Sequence, residues 1–311
     1  MKNICELLNI KYPLIQGGMA NIADHKLAAA VSNAGGLGLI ASSANDANWL
    51  REEIRKCREL TNKPFGVNIM LMNPHSKDLA QVVIEEKVAV VTTGAGNPGP
   101  YIPAWKEAGI IVIPVIPSSA LALRVARAGA DAVIAEGCEA GGHIGELTTM
   151  ALIPQVVDTV DVPVIAAGGI ADKRGVAAAF ALGAKGVQVG TVILASTECK
   201  VHPNYKQMII DAKDTDTIVT GRERKAPVRV LKNQMAKEYV DLSARGATLE
   251  ELERLTLGSL RRAVETGDME QGSFMAGQIA GLIKEVKPIK AIIEDLFSEI
   301  NSYLNNLKVM K

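Results

Sequence analysis

The sequence is poor in aromatic residues and in paired cysteines. Aromatic residues make up 4% of its 311 residues although 48% are hydrophobic, so the core must be built mainly from Val, Ile, Leu and Ala. These residues favour buried parallel strands and the helices that cover them. The four cysteines form no Cys-x-x-Cys pair, which argues against a metal site or a disulfide framework and favours reduced thiols in a cytoplasm.

An excess of one charge and a long apolar run are also missing. Lys plus Arg and Asp plus Glu number 34 each, so no overall field attracts nucleic acid or an anionic membrane. The first residues are too polar for a signal peptide, and no run of about 18 apolar residues is available to span a membrane. We therefore expect a soluble, cytoplasmic protein without nucleic-acid or membrane partners.

Two patterns alternate strictly along the chain. Short β-branched runs are typical of strands, and the stretches between them have helical spacing with much Ala, Lys and Glu. Glycine follows several of these helices, where it supplies the left-handed residue that ends a helix. The predicted strands are 12–16, 37–41, 65–71, 88–93, 110–116, 132–136, 164–167 and 187–194. The predicted helices between them are 24–33, 46–60, 76–86, 101–108, 118–128, 150–160 and 173–182.

Eight such units close most economically into an α/β fold, the (β/α)8 TIM barrel, whose catalytic groups lie on the loops after the strands. An open doubly wound sheet is the alternative, but its usual Gly-x-Gly-x-x-Gly is missing. The predicted domains are a barrel of 1–194 and 271–311 and a helical insertion of 195–270 that acts as a lid. Helices are predicted there and beyond at 204–212, 227–239, 249–264, 272–283 and 289–307.

One histidine stands out at the end of the sixth predicted strand. His143 lies in the glycine-rich segment 134–145, in which an apolar strand runs directly into a loop. A histidine at such a strand end is placed for proton transfer. Taken alone, the motif equally allows a loop histidine that caps a carbonyl.

The ends of other strands carry glycines and isolated polar residues. Asn68 interrupts an apolar strand, so it either binds something or is a satisfied core asparagine. Glycine pairs end strands seven and eight, where barrels commonly bind phosphate. Glycines after the first strand let a flat ring approach closely, which makes FMN the economical ligand, although a phosphosugar fits the same pattern. These residues are Gly17, Gly18, Met19, Asn68, Gly168, Gly169, Gly190 and Thr191.

With these motifs the chain resembles the enoyl-acyl carrier protein reductase II family, and more broadly the nitronate monooxygenase (2-nitropropane dioxygenase) group of flavin-dependent barrels. The likeness runs nearly from end to end. It is specific for the superfamily and less specific for the reaction. The segments that carry it are 16–19, 34–38, 63–70, 93–98, 139–145, 163–170, 187–191, 202–205 and 272–278.

The resemblance implies noncovalent FMN, with His143 as catalytic acid/base. It also implies NADH or NADPH as reductant, an enoyl thioester on acyl carrier protein as substrate in fatty-acid biosynthesis, and a homodimer. With the resemblance, further cofactor-binding candidates are Thr92, Gly141, Gly142, Gln155 and Gln188. Candidates for substrate or lid contacts are Met275, Ala276, Gly277, Gln278 and Arg229.

Two other functions stay open. A nitronate monooxygenase would use the same histidine on a nitroalkane or nitronate and consume O2, and a non-catalytic flavin-binding barrel would have lost turnover. Departures from the family pattern concern substrate and nicotinamide contacts: Asn21 replaces a usual Trp, Val192 an Arg, and Lys225 with Ala226 a Gly-His pair. The basic segment 222–232 modestly favours the reductase, since an acidic carrier protein, a phosphopantetheine arm or a cofactor phosphate would bind there. The alternative is a solvated insertion helix.

Overall fold

The computed structural model describes residues 3–306, along which strands and helices alternate. The strands are β1 (Leu14–Gln16), β2 (Gly38–Ala41), β3 (Phe65–Met70), β4 (Val90–Gly94), β5 (Ile111–Ile116), β6 (Val133–Glu136), β7 (Gly142–His143), β8 (Val164–Ala167), β9 (Gly186–Val189), β10 (Thr217–Thr220) and β11 (Val228–Leu231). The helices of the barrel half are α1 (Ile4–Leu8), α2 (His25–Asn33), α3 (Ala47–Leu60), α4 (Ser76–Glu85), α5 (Ile102–Glu107), α6 (Ser119–Arg127), α7 (Thr149–Val157), α8 (Lys173–Ala181) and α9 (Thr191–Leu194). The later helices are α10 (Pro203–Asp211), α11 (Gln234–Ala244), α12 (Leu249–Thr256), α13 (Ser259–Arg261), α14 (Ile289–Phe297) and α15 (Ile300–Asn306).

Eight parallel strands form the barrel. Their hydrogen-bonded order is β1-β9-β8-β6-β5-β4-β3-β2. A parallel bridge between Ile15 and Leu37 joins β1 to the start of β2 and closes the ring. The expected (β/α)8 barrel is therefore confirmed, and all eight predicted barrel strands are present.

The lower half of the barrel interior is aliphatic. Fully buried side chains of alternate strand residues, such as Ile15, Leu39 and Ile165, meet on the axis, and Ile4 of α1 closes the floor. Burying such a side chain stabilises a fold by about 1.5–3 kcal/mol relative to exposure. The intervening residues point outward and pack under the helices. The interior therefore leaves only its upper, carboxyl-terminal end for polar groups.

The predicted helix 227–239 is wrong in its first part. Val228–Leu231 is β11, which pairs antiparallel with β10 and with β7. Its Val-Arg-Val-Leu sequence alternates β-branched and other residues, which suits a strand better than a helix. The helix α11 begins only after Asn233, whose side chain accepts a hydrogen bond from Ala236 N at 3.0 Å. The segment 195–270 thus contains strands as well as helices, and its status as a separate domain stays a prediction.

Four other boundaries differ from those predicted. The helix predicted at 249–264 is broken at Gly258, whose φ of 71° is left-handed, into α12, α13 and a π-helical turn at Arg262–Thr266. The eighth barrel strand ends at Val189, and α9 follows at once. The helix predicted at 272–283 is wrong except for a 3-10 turn at Gln278–Leu282, because glycines interrupt it and Met275 forms an antiparallel bridge to Val230. The predicted closing helix breaks between α14 and α15 at Glu299, whose φ of 54° is left-handed, and Leu307 lies outside the described residues. From residue 3 to residue 306, no helix is both long and apolar enough to cross a bilayer.

Candidate functional site

His143 lies on β7, a two-residue strand that is not part of the barrel. β7 pairs with β11, which places His143 opposite Val228 and Gly142 opposite Arg229. Ile144 N extends the pairing by donating to Pro227 O at 3.1 Å. The imidazole is open to solvent on one side, but the surrounding loop partly desolvates it and lowers its pKa. His143 is thus an accessible, proton-exchanging group held by a sheet rather than by a free loop.

Arg229 of β11 holds the loop that carries His143. Its Nε and Nη2 both donate to the Cys138 carbonyl oxygen, at 3.1 and 3.0 Å, and Nη1 donates to Thr217 Oγ1 at 3.1 Å. The residue is only 6% exposed, and this burial lowers its pKa. Arg229 was predicted to contact substrate or form part of a lid, but its guanidinium is used by the protein itself.

The other cations of segment 222–232 are also partly engaged. Arg222 pairs with Glu146 at 3.1 Å, and Arg224 Nη2 donates to Thr248 O at 3.1 Å. Lys225 and Lys232 are exposed. The expectation of a continuous basic patch is therefore reduced to two lysines and an exposed ion pair. Neither is it a solvated helix, because the segment is a 3-10 turn followed by β11.

Polar side chains replace aliphatic ones at the upper end of the barrel interior. Four residues make up this polar layer, and they are Asn68, Thr92, Glu136 and Gln188. Asn68 Nδ2 donates to its cross-strand neighbour Thr92 Oγ1 at 2.9 Å. Gln188 pairs with the interior residue Ala167, and its Oε1 is buried without a hydrogen-bond partner in the described part of the chain. An unpaired buried amide oxygen costs about 1–3 kcal/mol, so Gln188 Oε1 is available to accept a hydrogen bond from a bound molecule.

Glu136 is the residue that the sequence reading missed. It is the last residue of β6, and Ile134 on the same face belongs to the interior cluster. Burial raises the pKa of its carboxyl to about 7. The available signal was a lone acidic residue closing the apolar run Val133–Glu136 at the catalytic end of a barrel strand.

Glycines let several backbones meet around this layer. A Cβ at Gly18 would lie 2.3 Å from Asn68 Cγ, and one at Gly168 would lie 2.8 Å from Gly137 O. Gly168 and Gly169 also have φ of 90° and 74°, which L side chains rarely adopt. Gly17 N donates to Val189 O at 2.8 Å and so ties the first loop to the last barrel strand.

A strap, residues 274–278, crosses from the insertion to the His143 loop. At its start Leu231 N donates to Phe274 O at 2.8 Å, and the buried hydroxyl of Tyr205 donates to Met275 O at 2.8 Å. Burial raises the pKa of the Tyr205 phenol, so it stays a donor. Tyr205 also packs edge to face against Phe274, with ring centroids 4.8 Å apart.

The end of the strap contacts two predicted site elements. Gly277 N donates to Thr191 Oγ1 at 2.9 Å, and Gln278 N donates to Glu139 O at 2.9 Å. A Cβ at Gly141 would lie 2.6 Å from the Ala276 carbonyl carbon, so the two backbones touch. The strap therefore brings Ala276 and Gly277 against the end of β9 and the loop of His143.

Some predicted residues do not join the others. Gln155 lies on the outer helix α7, is exposed, and donates to Ala151 O at 2.6 Å, so it is not at the barrel mouth. The residue Gln278 is exposed as well. Among the departures, Asn21 has a left-handed φ of 60° that asparagine tolerates, and Val192 is buried in α9.

Known proteins resemble this chain over its whole length. A family model described as nitronate monooxygenase matches residues 2–86 and 79–299. The solved structure of FabK from Thermotoga maritima has a TM-score of 0.96 and 53% identity, covering 99% of both chains. A probable nitronate monooxygenase of Staphylococcus saprophyticus is 34% identical, covering 96% of this chain and 97% of its own. A (3aS,4S,5R,7aS)-5-hydroxy-7a-methyl-1-oxo-octahydro-1H-indene-4-carboxyl-CoA dehydrogenase of Mycobacterium tuberculosis is 32% identical, covering 99% and 98%.

Proposed function

The chain belongs to the nitronate monooxygenase family, and within that family we propose that it is an FMN-dependent enoyl-acyl carrier protein reductase that uses NADH or NADPH. The observation that carries the proposal is the 53% identity to FabK over 99% of both chains, against 34% to a probable nitronate monooxygenase. We identify FabK with the enoyl-acyl carrier protein reductase II family that the sequence resembles. The 32% identity to the indene-4-carboxyl-CoA dehydrogenase of Mycobacterium tuberculosis adds a second relative whose name contains a CoA thioester.

The residues at the barrel mouth fit FMN. The unpaired Gln188 Oε1 needs a hydrogen-bond donor, and a ring N–H of a flavin supplies one. The absence of a side chain at Gly18 lets the first loop lie directly against Asn68, since a Cβ there would collide with that side chain. The ring would be held by Gly17, Gly18, Met19, Asn68, Thr92 and Gln188, with Gly141 and Gly142 beside it. The phosphate would be held by Gly168, Gly169, Gly190 and Thr191, whose hydroxyl accepts from Gly277 N and keeps its own proton to donate.

His143 supplies the proton. Bound FMN would supply the redox chemistry, namely hydride transfer from NAD(P)H to the β-carbon of the enoyl thioester. The π electrons of the C=C bond form the new C–H bond at the α-carbon with a proton from His143. The balance is enoyl thioester plus NAD(P)H plus H⁺ giving saturated thioester plus NAD(P)⁺. Solvent then reprotonates His143, whose ring is accessible.

Two half-reactions test this function. Mixing the FMN-loaded protein with NADH or NADPH without oxygen should bleach the flavin, and an enoyl thioester should restore its colour. His143→Ala should keep the bleaching step and slow the recolouring step by about 10²–10⁴-fold, the usual contribution of a positioned acid. As a control, His75→Ala changes an exposed histidine at the start of α4 and should leave both steps unchanged.

Nitronate oxidation is the second candidate, because the family model that matches is named for it. Oxygen uptake with a nitronate, together with slow bleaching of the flavin by both nicotinamide cofactors, would show that the protein is a nitronate monooxygenase and not a reductase. Bleaching by neither NADH nor NADPH, no recolouring by a thioester and no oxygen uptake would leave the non-catalytic flavin-binding barrel. A homodimer, a cytoplasmic location and a carrier-protein partner remain predictions.

A further inference from the structure

The polar layer contains one ionisable side chain, that of Glu136. It faces the barrel interior, because Ile134 two residues earlier belongs to the interior cluster and alternate strand residues share a face. The adjoining strands present uncharged side chains on that face, with Val115 on β5 and Ala167 on β8. The remaining members of the layer, Asn68, Thr92 and Gln188, are uncharged as well.

Nothing in residues 3–306 compensates a negative charge at this position. Desolvation is the sole cause that raises the pKa of Glu136 to about 7, so neither a cation nor a hydrogen-bond donor offsets it. The charged groups on the loop after β6, and Arg229 of β11 that contacts this loop, are engaged elsewhere. Glu139 accepts from Thr149 N and Oγ1, both at 2.9 Å, and Arg229 donates to the Cys138 carbonyl. A protonated carboxyl is therefore the form that this layer accommodates best.

We propose that Glu136 is a further residue of the flavin site, which remains an uncharged acid while FMN is reduced and opposes the reduction once it has lost its proton. The inference rests on the proposed function, because it requires FMN above the polar layer. Reduced FMN carries more negative charge than oxidised FMN, and like charges repel each other at a partly buried site more than they do in water. Glu136 therefore holds its proton to higher pH in the reduced protein than in the oxidised protein.

The midpoint potential of bound FMN measures this coupling. It is obtained by equilibration with a redox dye from about pH 5.5 to about 9, a range that lies above the ordinary carboxyl pKa of about 4.3 and brackets the raised pKa of Glu136, about 7. Between the two pKa values of Glu136, reduction takes up one additional proton. The reduction equilibrium of the unmodified protein should there fall an additional tenfold per pH unit, or about 30 mV for a two-electron couple.

Three variants assign this effect to Glu136. Glu136→Gln has no proton to lose, so its profile should lack the additional fall, coincide with the unmodified protein at acidic pH and lie above it at alkaline pH. Glu136→Asp keeps an ionisable group and should keep the additional fall. Glu146→Gln removes an exposed carboxylate from the same loop and should match the unmodified protein.

Parallel profiles for the unmodified protein and Glu136→Gln overturn the inference. If Glu136→Gln does not fold, the potential profile of the unmodified protein is a sufficient test. A profile without the steeper segment would overturn the inference. Failure of the proposed function gives a different result: the protein would bind no FMN, or its FMN would not be reduced by NADH or NADPH. A protein that binds FMN and reduces the thioester, yet has parallel profiles, loses only the role of Glu136.

Discussion

Arg229 and Cys138 are 91 positions apart, yet two guanidinium nitrogens of Arg229 donate to the carbonyl oxygen of Cys138 at 3.1 and 3.0 Å. The contact joins β11 of the insertion to the loop between β6 and α7. Because both donors of one planar group point at one oxygen, the contact sets the direction of the loop as well as its distance. This contact therefore also helps to set the position of His143, which lies five residues after Cys138.

Arg229→Lys should therefore disturb the loop although it keeps the charge. A lysine ammonium cannot reproduce the two-pronged contact and leaves the bond to Thr217 unmade, so we expect a loss of roughly 1–3 kcal/mol in the free energy of unfolding. Misplacement of His143 should slow thioester-dependent recolouring of the flavin by roughly 10–100-fold. Urea unfolding and stopped-flow absorbance measure the two effects. Arg254→Lys, on an exposed ion pair with Glu250, is the control, and equal behaviour of the two variants would contradict the assigned role.

The pH dependence of the thioester step should identify the direction of proton transfer. Desolvation lowers the pKa of His143 below the ordinary histidine value of 6.5. As a proton donor His143 must be charged, so kcat/KM for the thioester should rise as the pH falls through this lowered pKa. As a base acting on a nitroalkane it must be neutral, and the rate would instead rise with increasing pH. A pH profile of kcat/KM with each substrate distinguishes the two.

Gly18→Ala should weaken FMN binding. The new methyl group would lie 2.3 Å from Asn68 Cγ and 2.6 Å from Asn68 Cβ, so rotation of the side chain does not relieve the contact. Displacing Asn68 from Thr92 breaks a buried hydrogen bond of about 1–3 kcal/mol, which corresponds to roughly 5–150-fold weaker binding. Fluorescence titration of the FMN-free protein measures the change. Gly94→Ala is the control. Gly94 is the last residue of β4, no atom lies within 4 Å of the new methyl group, and the variant should bind FMN as the unmodified protein does.

Tyr205→Phe should loosen the strap at Met275. The change removes one hydroxyl and leaves the Met275 carbonyl oxygen without its donor, which should cost about 1–3 kcal/mol in the free energy of unfolding. Hydrogen exchange should accelerate at the amides of Gly277 and Gln278, which are bonded to Thr191 and Glu139. Tyr303→Phe on the distant helix α15 serves as the control. Unchanged exchange at both amides would show that Tyr205 does not hold the strap.

The stability of the FMN-free protein should depend on Glu136. Its pKa is about 7 when folded and about 4.3 in an unfolded chain, so the folded state binds the proton more tightly. Stability is therefore fully present below the unfolded value and is lost as pH rises from about 4.3 to about 7. Because Glu136 keeps some solvent contact, we expect Glu136→Gln to gain roughly 1–3 kcal/mol over the unmodified protein at alkaline pH. Urea midpoints at several pH values measure this, and a pH-independent difference would contradict it.

The barrel was predictable because its signal is repeated and local. Each unit contributes one β-branched run, one amphipathic stretch and a closing glycine, so an error in one unit does not change the count. The insertion lacks such repetition. There Val228–Leu231 lies beside good helix formers, and only its pairing with β10 and β7 makes it a strand. The family membership predicted from the motifs is confirmed by the matching family model and by the relatives of 32–34% identity.

The candidate site was predictable where one residue type has a special property. His143 and the glycines stand out by their chemistry or their backbone freedom. Arg229 was predicted to contact substrate or to form part of a lid, because a local sequence pattern does not show that its guanidinium is buried against Cys138. Glu136 was missed for a related reason. Its importance follows from the uncharged side chains across the barrel, which lie far away in sequence. The roles of all these residues in binding and catalysis remain predictions.

The contact between the strap and the His143 loop has a consequence for protein engineering. Gly141 lies against Ala276, and a Cβ at Gly277 would lie 2.6 Å from Glu139 O. The shape of the strap therefore has to match the shape of the His143 loop. A chimera that takes only residues 137–145 from a more distant relative would place that loop against a strap, residues 274–278, with a sequence that does not match it. Both segments should be transplanted as one unit, although more than 120 residues of chain separate them.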